Sequence, residues 1–125
     1  MAIKRTKERI DKTGEIFTPK ELVNEILAKL PNDAFINPEK TFIDPACGDG
    51  NFLVEVLVNK LNNNHDPLQA LSTIYGIDIM QDNIQECKKR LLQITGFSTE
   101  AQQIVNRNIK LGNALHIDNF ELFFA

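Results

Sequence analysis

The sequence predicts an α/β domain built on a parallel sheet, and three observations carry that prediction. Helix-type and strand-type segments alternate along the chain. The strand candidates are short and apolar. The first runs directly into a glycine turn that opens a helix, Asp44-Pro45-Ala46-Cys47-Gly48-Asp49-Gly50-Asn51-Phe52. Such alternation specifies parallel strands joined by right-handed crossovers. Three strands are expected, in the spatial order 3-2-1, as in the first half of a doubly wound sheet.

The elements follow in order. Thr18-Pro19-Lys20-Glu21 reads as a helix start: Thr18 caps, Pro19 suits the first helical position and Glu21 completes a capping box. Leu22, Val23, Ile26, Leu27 and Leu30 continue at helical spacing, and Pro31 stops the helix. Residues 32–40 are polar, contain Pro38 and form a loop. Thr41-Phe42-Ile43-Asp44 is the first strand. Phe52 to Leu61 is a helix with apolar residues nearly all round, which implies deep burial, and Asn62-Asn63-Asn64 ends it. Asp66-Pro67 starts a short helix through Ser72, and Ile74-Tyr75-Gly76-Ile77-Asp78 is the second strand. From Gln81 to Thr95 a helix places Ile84, Cys87, Leu91 and Leu92 on one face, and Gly96 stops it. Ser98 caps a further helix through Asn106, and Asn108-Ile109-Lys110-Leu111 is the third strand. The last residues, Phe120-Glu121-Leu122-Phe123-Phe124-Ala125, are strongly apolar and read as the approach to one more element. No repeat, low-complexity segment or linker interrupts the chain.

At 125 residues the chain is long enough for one small domain with its own core. Its composition, 42% hydrophobic and 25% charged, is that of a soluble globular protein. There is no long apolar run and no signal-peptide pattern, so a cytoplasmic location without membrane contact is expected. Cys47 and Cys87 lie far apart in sequence and imply neither a disulfide framework nor a metal site; two free thiols are expected. His65 and His116 stand alone, with Asp66 and Asp118 as their nearest acids, and meet no ligand spacing, so no metal is expected. Lys88-Lys89-Arg90 reads as the solvated face of its helix.

Charge is unevenly placed. Within residues 1–14, Lys4, Arg5, Lys7, Arg9 and Lys12 outnumber Glu8 and Asp11 to give +3, which leaves −6 of the net −3 on the rest of the chain. Residues 1–13 are therefore read as a basic arm on an acidic body. A solvated terminus and a contact with nucleic-acid phosphates both fit it.

The glycine turn carries the chemistry. Gly48 and Gly50 let the backbone turn tightly and approach a ligand without a Cβ in the way. The helix that follows aims free N–H groups and its positive dipole end at the same space, which favours a carboxylate or a phosphate. Asp78, at the end of the second strand, is placed to accept hydrogen bonds from both hydroxyls of a ribose; helix capping is the alternative for it. Asn113, just beyond the third strand, sits where an amide reads an adenine edge, although Gly112-Asn113 is also an ordinary turn pair.

The stretch Asp44–Phe52 resembles the S-adenosylmethionine motif of N6-adenine DNA methyltransferases, in its form Asp-Pro-x-Cys-Gly-x-Gly-x-Phe. Gly14-Glu15-Ile16-Phe17-Thr18-Pro19 resembles the motif that precedes it in type I and fused type II modification enzymes. Tyr75-Gly76-Ile77-Asp78-Ile79 and Asn108-Ile109-Lys110-Leu111-Gly112-Asn113-Ala114-Leu115 resemble the two that follow. The resemblance spans residues 14–118. It implies a partial Rossmann-like methyltransferase sheet with flanking helices and an N-terminal helix, and S-adenosylmethionine as cofactor. Residue by residue, it implies that Phe17, Thr18 and Pro19 line the methionine end of the cofactor. Asp44, Gly48 and Gly50 surround the amino-acid and sugar portion, with Ala46 and Phe52 also among the cofactor-binding residues. Asp78 holds the ribose, Ile79 lies against the adenine face, and Asn113 meets the adenine edge, where many relatives have Asp. Cys47 is a packing residue.

The family's catalytic motif is Asp/Asn-Pro-Pro-Tyr/Phe, and this sequence has no Pro-Pro dipeptide; Asn37-Pro38 and Asp66-Pro67 lie in the wrong elements. Residues 14–125 are therefore read as the S-adenosylmethionine-binding portion of a methyltransferase domain, truncated before the catalytic motif and inactive in methyl transfer by itself. DNA is the expected substrate of the complete enzyme. The first strand would lie at an open edge, which invites a partner chain or self-association. The alternative reading is a non-catalytic binding or regulatory module that pairs through that edge with itself or with a full methyltransferase. A nicotinamide dinucleotide enzyme fits less well, because Pro-Ala-Cys precedes the glycines in place of G-x-G-x-x-G.

Overall fold

A computed structural model describes residues 20–31 and 33–125. Its elements are α1 (Lys20–Ala28), β1 (Phe42–Asp44), α2 (Asn51–Asn62), α3 (Pro67–Ser72), β2 (Ile74–Asp78), α4 (Gln81–Thr95), α5 (Thr99–Asn108), β3 (Ile109–Leu111), a 3-10 turn (Ala114–His116) and α6 (Phe120–Phe124). The three strands form one parallel sheet in the order β1-β2-β3, which is the expected 3-2-1 order read from the other side. The proposed helix start at Thr18-Pro19 and the basic arm lie outside the described residues.

Local chemistry explains most boundaries. Asp66 caps α3 by accepting a hydrogen bond from the Gln69 amide at 3.1 Å, with Pro67 at the first helical position. Ser98 caps α5 by accepting from the Ala101 amide at 3.1 Å. Gly96 closes α4 at φ 96°, a conformation that a side chain disfavours. The first helix ends at Ala28 rather than Leu30, because the Lys29 and Leu30 amides turn back to the carbonyls of Ile26 and Leu27 before Pro31. Helix α5 runs to Asn108, two residues beyond the expected end; the Asn108 side chain is buried and donates to the Ser72 carbonyl at 3.1 Å.

Both crossovers progress in one direction along the sheet, so their right-handedness puts the connecting helices on the same face. There Leu53, Val56 and Leu57 of α2 meet Ala70 and Leu71 of α3, Ile84, Cys87 and Leu91 of α4, and Ala101 and Val105 of α5. The α4 residues picked out by periodicity are all buried, and no residue of α2 from Asn51 to Leu61 is fully exposed. Lys60 is the exception in chemistry: completely buried, it donates from Nζ to the Lys40 carbonyl at 2.8 Å and lies 5.0 Å above the Phe42 ring. Phe42 stacks on Phe35 at 5.3 Å and closes the N-terminal end of β1.

The apolar C-terminal run itself forms the short helix α6. Asn119 accepts a hydrogen bond from the Leu122 amide at 3.1 Å and so caps α6. Side chains alternate across a strand. A Cβ on Gly76 would meet Leu53 and Cys47 on the helix-covered face, so Tyr75 points to the other. There Phe124 meets the Tyr75 ring edge-on at 5.0 Å, and Lys110 of β3 donates from Nζ to the Phe123 carbonyl at 2.8 Å. The C-terminal helix thus folds over the second face of the sheet.

Candidate cofactor site

In a parallel sheet all strands end at one edge, and that edge is where an open α/β fold receives ligands. Here β1 ends at Asp44, β2 at Asp78 and β3 at Leu111, and the register pairs Asp44 with Gly76 and Asp78 with Leu111. Asp78 therefore projects two residues farther than Asp44, level with the start of the glycine turn.

The turn is tightly held. The Cys47 amide donates to the Ile77 carbonyl at 2.8 Å and the Gly50 amide to the Cys47 carbonyl at 2.9 Å. Gly48 and Gly50 take φ values of 55° and 97°, in the left-handed region. At Gly50 space also demands glycine, because a Cβ would stand 2.9 Å from Cys87 Sγ. Gly50 precedes the first residue of α2 and no side chain caps that helix start, so the turn presents backbone donors to whatever occupies the edge.

Asp78 ties the two loops together. Its Oδ1 accepts from the Gly48 amide at 3.2 Å, and its Oδ2 accepts from the Met80 amide at 3.0 Å and from Asn83 Nδ2 at 2.9 Å. A carboxylate offers about four acceptor positions, so this one retains capacity for a ligand hydroxyl. Asp78 thus steadies the start of α4 through Met80 and Asn83 and faces the glycine turn, while Met80 and not Asp78 occupies the cap position of that helix. Asp44 accepts from the Ala46 amide at 3.1 Å. Burial pushes its carboxyl above the usual value of 3.8; that hydrogen bond opposes the rise and the Asp78 charge adds to it.

The remaining candidates distribute as follows. Ala46 is exposed at the tip of the turn, and Phe52 is half-buried against the core. Ile79 is 48% exposed just beyond β2, an apolar surface free to meet a ring. Asn113 is exposed beyond β3, and its Oδ1 accepts from the Leu115 amide at 3.0 Å, so it caps the 3-10 turn. Phe17, Thr18 and Pro19 lie outside the described residues.

Three residues at the site escaped the sequence. Asn83 is fully buried and bonds Asp78; its signal was a polar residue four positions before Cys87, on the apolar face of α4. Cys87 meets Cys47 beneath the turn. A hydrogen bond between the two thiols, reinforced by burial, pushes the Cys47 thiol up, and both cysteines are free. Arg90 corrects the reading of Lys88-Lys89-Arg90 as a solvated face. Lys89 is exposed, but Arg90 Nη1 donates to the Asp49 carbonyl at 3.0 Å and to Asn51 Oδ1 at 2.8 Å, and stands 3.4 Å from the Asp49 carboxylate. His65 is buried with neither ring nitrogen hydrogen-bonded, and no group of three or more His, Cys, Asp or Glu suited to a metal occurs among the described residues. No helix among them is long and apolar enough to cross a membrane.

The chain is 35% identical over 86 residues to "Type II methyltransferase M.VspI" of Vibrio sp. (strain 343), an alignment covering 69% of this chain and 18% of that protein. The chain thus corresponds to under a fifth of the relative's length. No solved structure matches it. Residues 3–122 match the family described as N-6 DNA Methylase, and the chain belongs to that family.

Proposed function

We propose that this chain supplies the S-adenosylmethionine-binding portion of a site-specific DNA adenine-N6 methyltransferase of the restriction-modification type. The observation that carries the reading is the Gly48–Asp78 hydrogen bond, because it brings the glycine turn and the acid of β2 to one sheet edge. The local charges suit such a ligand. The uncapped start of α2 favours a carboxylate, whereas Asp44 and Asp78 favour cationic and hydroxyl-bearing groups. A zwitterionic amino acid joined to a ribose offers all three. On this reading Asp44, Ala46, Gly48 and Gly50 receive the amino-acid and sugar portion with Phe52 behind them, Asp78 the ribose hydroxyls and Ile79 the adenine face. Phe17, Thr18 and Pro19 are proposed for the methionine end, and Asn113 for the adenine edge. The cofactor supplies an electrophilic methyl group; these residues only bind and orient it.

DNA is the proposed substrate of the complete enzyme. The 125-residue chain has no Asp/Asn-Pro-Pro-Tyr/Phe motif, and methyl transfer is not expected of it alone. Calorimetry of the chain against S-adenosylmethionine, S-adenosylhomocysteine and NAD tests the reading. Saturable binding of the first two, lost in Asp78→Ala, is expected; a preference for NAD, or no binding of either adenosyl compound, overturns it.

A second reading has one observation in its favour. Among the described residues β1 pairs only with β2, and Ile43 on that edge strand is 41% exposed. A module that pairs through this edge with itself or with a full methyltransferase would sediment as a larger species as concentration rises. A constant monomer mass, with and without a methyltransferase present, speaks against it.

A further inference from the structure

We propose that Arg90 is a positioning residue of this site: its guanidinium fixes the Asp49–Asn51 turn, and through it the reception of the cofactor's amino-acid carboxylate. The inference rests on the cofactor reading above and goes beyond it, since no recognisable motif contains Arg90.

Two glycines with positive φ make the turn easy to form and easy to lose, because glycine also populates many other conformations. Something outside the turn must hold it. The Asp78 carboxylate holds one side, at Gly48. Arg90 holds the other. It reaches from the third turn of α4 to the Asp49 carbonyl and to Asn51 Oδ1, residues 41 and 39 positions away in sequence. The carbonyl fixes the peptide that enters Gly50, and Asn51 is the first residue of α2. Arg90 therefore sets the direction in which the first N–H groups of α2 point. The side chains of Arg90 and Asp49 are 29% and 22% exposed, so their contact is better shielded than an open surface pair.

The action is geometric more than electrostatic. Asp49 balances the guanidinium charge locally, and what arginine adds is a rigid planar group that aims one nitrogen, Nη1, at the carbonyl and the carboxamide while holding it 3.4 Å from the carboxylate. Lysine keeps the charge and a donor but loses the planar group that aims it. Its behaviour separates the two mechanisms.

The test compares S-adenosylhomocysteine, which has the amino-acid carboxylate, with 5′-methylthioadenosine, which lacks it, on the 125-residue chain. Preorganisation lost at the turn weakens S-adenosylhomocysteine by about tenfold in Arg90→Met and by nearly as much in Arg90→Lys, while methylthioadenosine changes by less than about twofold. Asn51→Ala, which leaves the guanidinium in place, gives a smaller loss with the same ligand order and serves if Arg90→Met does not fold. Equal weakening of both ligands means that Arg90 supports the fold alone and overturns the proposal, as does full affinity in Arg90→Lys. If the wild-type chain binds methylthioadenosine and S-adenosylhomocysteine equally, the carboxylate is not read at this turn and the proposal also falls, with adenosyl binding intact. If it binds neither, the cofactor reading falls first and the Arg90 proposal with it.

Discussion

The Gly48 amide donates to the Asp78 carboxylate at 3.2 Å, across 30 residues of sequence. This hydrogen bond joins the loop after β1 to the loop after β2. The same carboxylate accepts from Met80 and Asn83 at the start of α4, so one buried acid organises two loops and one helix end. A ligand hydroxyl at its remaining acceptor position would meet a group already fixed in direction.

Asp78→Asn tests that organisation. The carboxamide keeps one acceptor oxygen and turns an NH2 group toward a backbone or side-chain donor. The buried mismatch is expected to destabilise the fold by about 2 kcal/mol in urea unfolding. Loss of adenosyl-ligand affinity is expected to accompany it. Unchanged stability would mean that the three donors find other partners and that Asp78 is free for the ligand alone.

Gly50 and Gly76 separate backbone strain from crowding. Gly50→Ala meets both: φ is 97° and the new Cβ would lie 2.9 Å from Cys87 Sγ. Gly76 does not carry a positive φ, but its Cβ would stand 2.8 Å from Leu53 Cδ1 and 3.0 Å from Cys47 Sγ. We expect losses of about 2–4 kcal/mol for Gly50→Ala and about 1–3 kcal/mol for Gly76→Ala in urea melts. Adding Cys87→Ala should recover part of the loss in Gly50→Ala and none in Gly76→Ala. Recovery of the whole loss would mean that the backbone at Gly50 is unstrained.

Asp44 makes the site pH-dependent. Its folded-state value lies above the ordinary 3.8, chiefly through burial. The native state therefore holds the proton to higher pH than the unfolded chain. Stability from this group is highest in acid and falls as pH rises from about 4 through the folded titration, remaining reduced at neutral pH. Asp44→Asn keeps an acceptor for the Ala46 amide and removes the buried charge. It is expected to melt roughly 2–4 °C higher than wild type at pH 7, with the gap closing below about pH 4. A gap that persists in acid would assign the gain to packing.

Much of this arrangement was legible because it rests on short-range chemistry. The helix over Gln81–Thr95 shows in the spacing of Ile84, Cys87, Leu91 and Leu92, and β2 in an apolar run ended by an acid. The strand order follows once alternation is read as the first half of a doubly wound sheet, and the glycine turn and the Asp78 loop, both within family motifs, share a sheet edge. What stayed hidden depends on distance in the fold. Nothing in Lys88-Lys89-Arg90 distinguishes the arginine that turns inward, because its acceptors belong to the loop after β1. Cys47 and Cys87 meet only once α4 crosses the glycine turn. The C-terminal helix had a signal, Asn119 three residues before Leu122, but Phe120–Phe124 is too short for periodicity to separate helix from strand.

The two cysteines report on whether the turn opens by itself. Cys87 is fully buried and Cys47 is 5% exposed. The hydrogen bond with Cys87, and then burial, push the Cys47 thiol up, so Cys47 stays protonated where ordinary thiols begin to react. Labelling with an aromatic disulfide reagent at pH 8 is therefore expected to run at least about a hundredfold slower in the folded chain than in urea. The argument extends to mechanism, because Cys47 belongs to the glycine turn and Cys87 to α4. If the turn opens only when the domain unfolds, both thiols react with one rate constant, and the opening free energy matches that from urea unfolding. If the turn lifts off locally, the thiols become accessible well below the global free energy, and a bound adenosyl ligand slows them selectively. The hydrogen bonds from Cys47 to Ile77 and from Gly48 to Asp78 anchor the turn to β2, and they favour the first outcome. Gly50→Ala presses its Cβ against Cys87 Sγ, and it should convert the first pattern into the second.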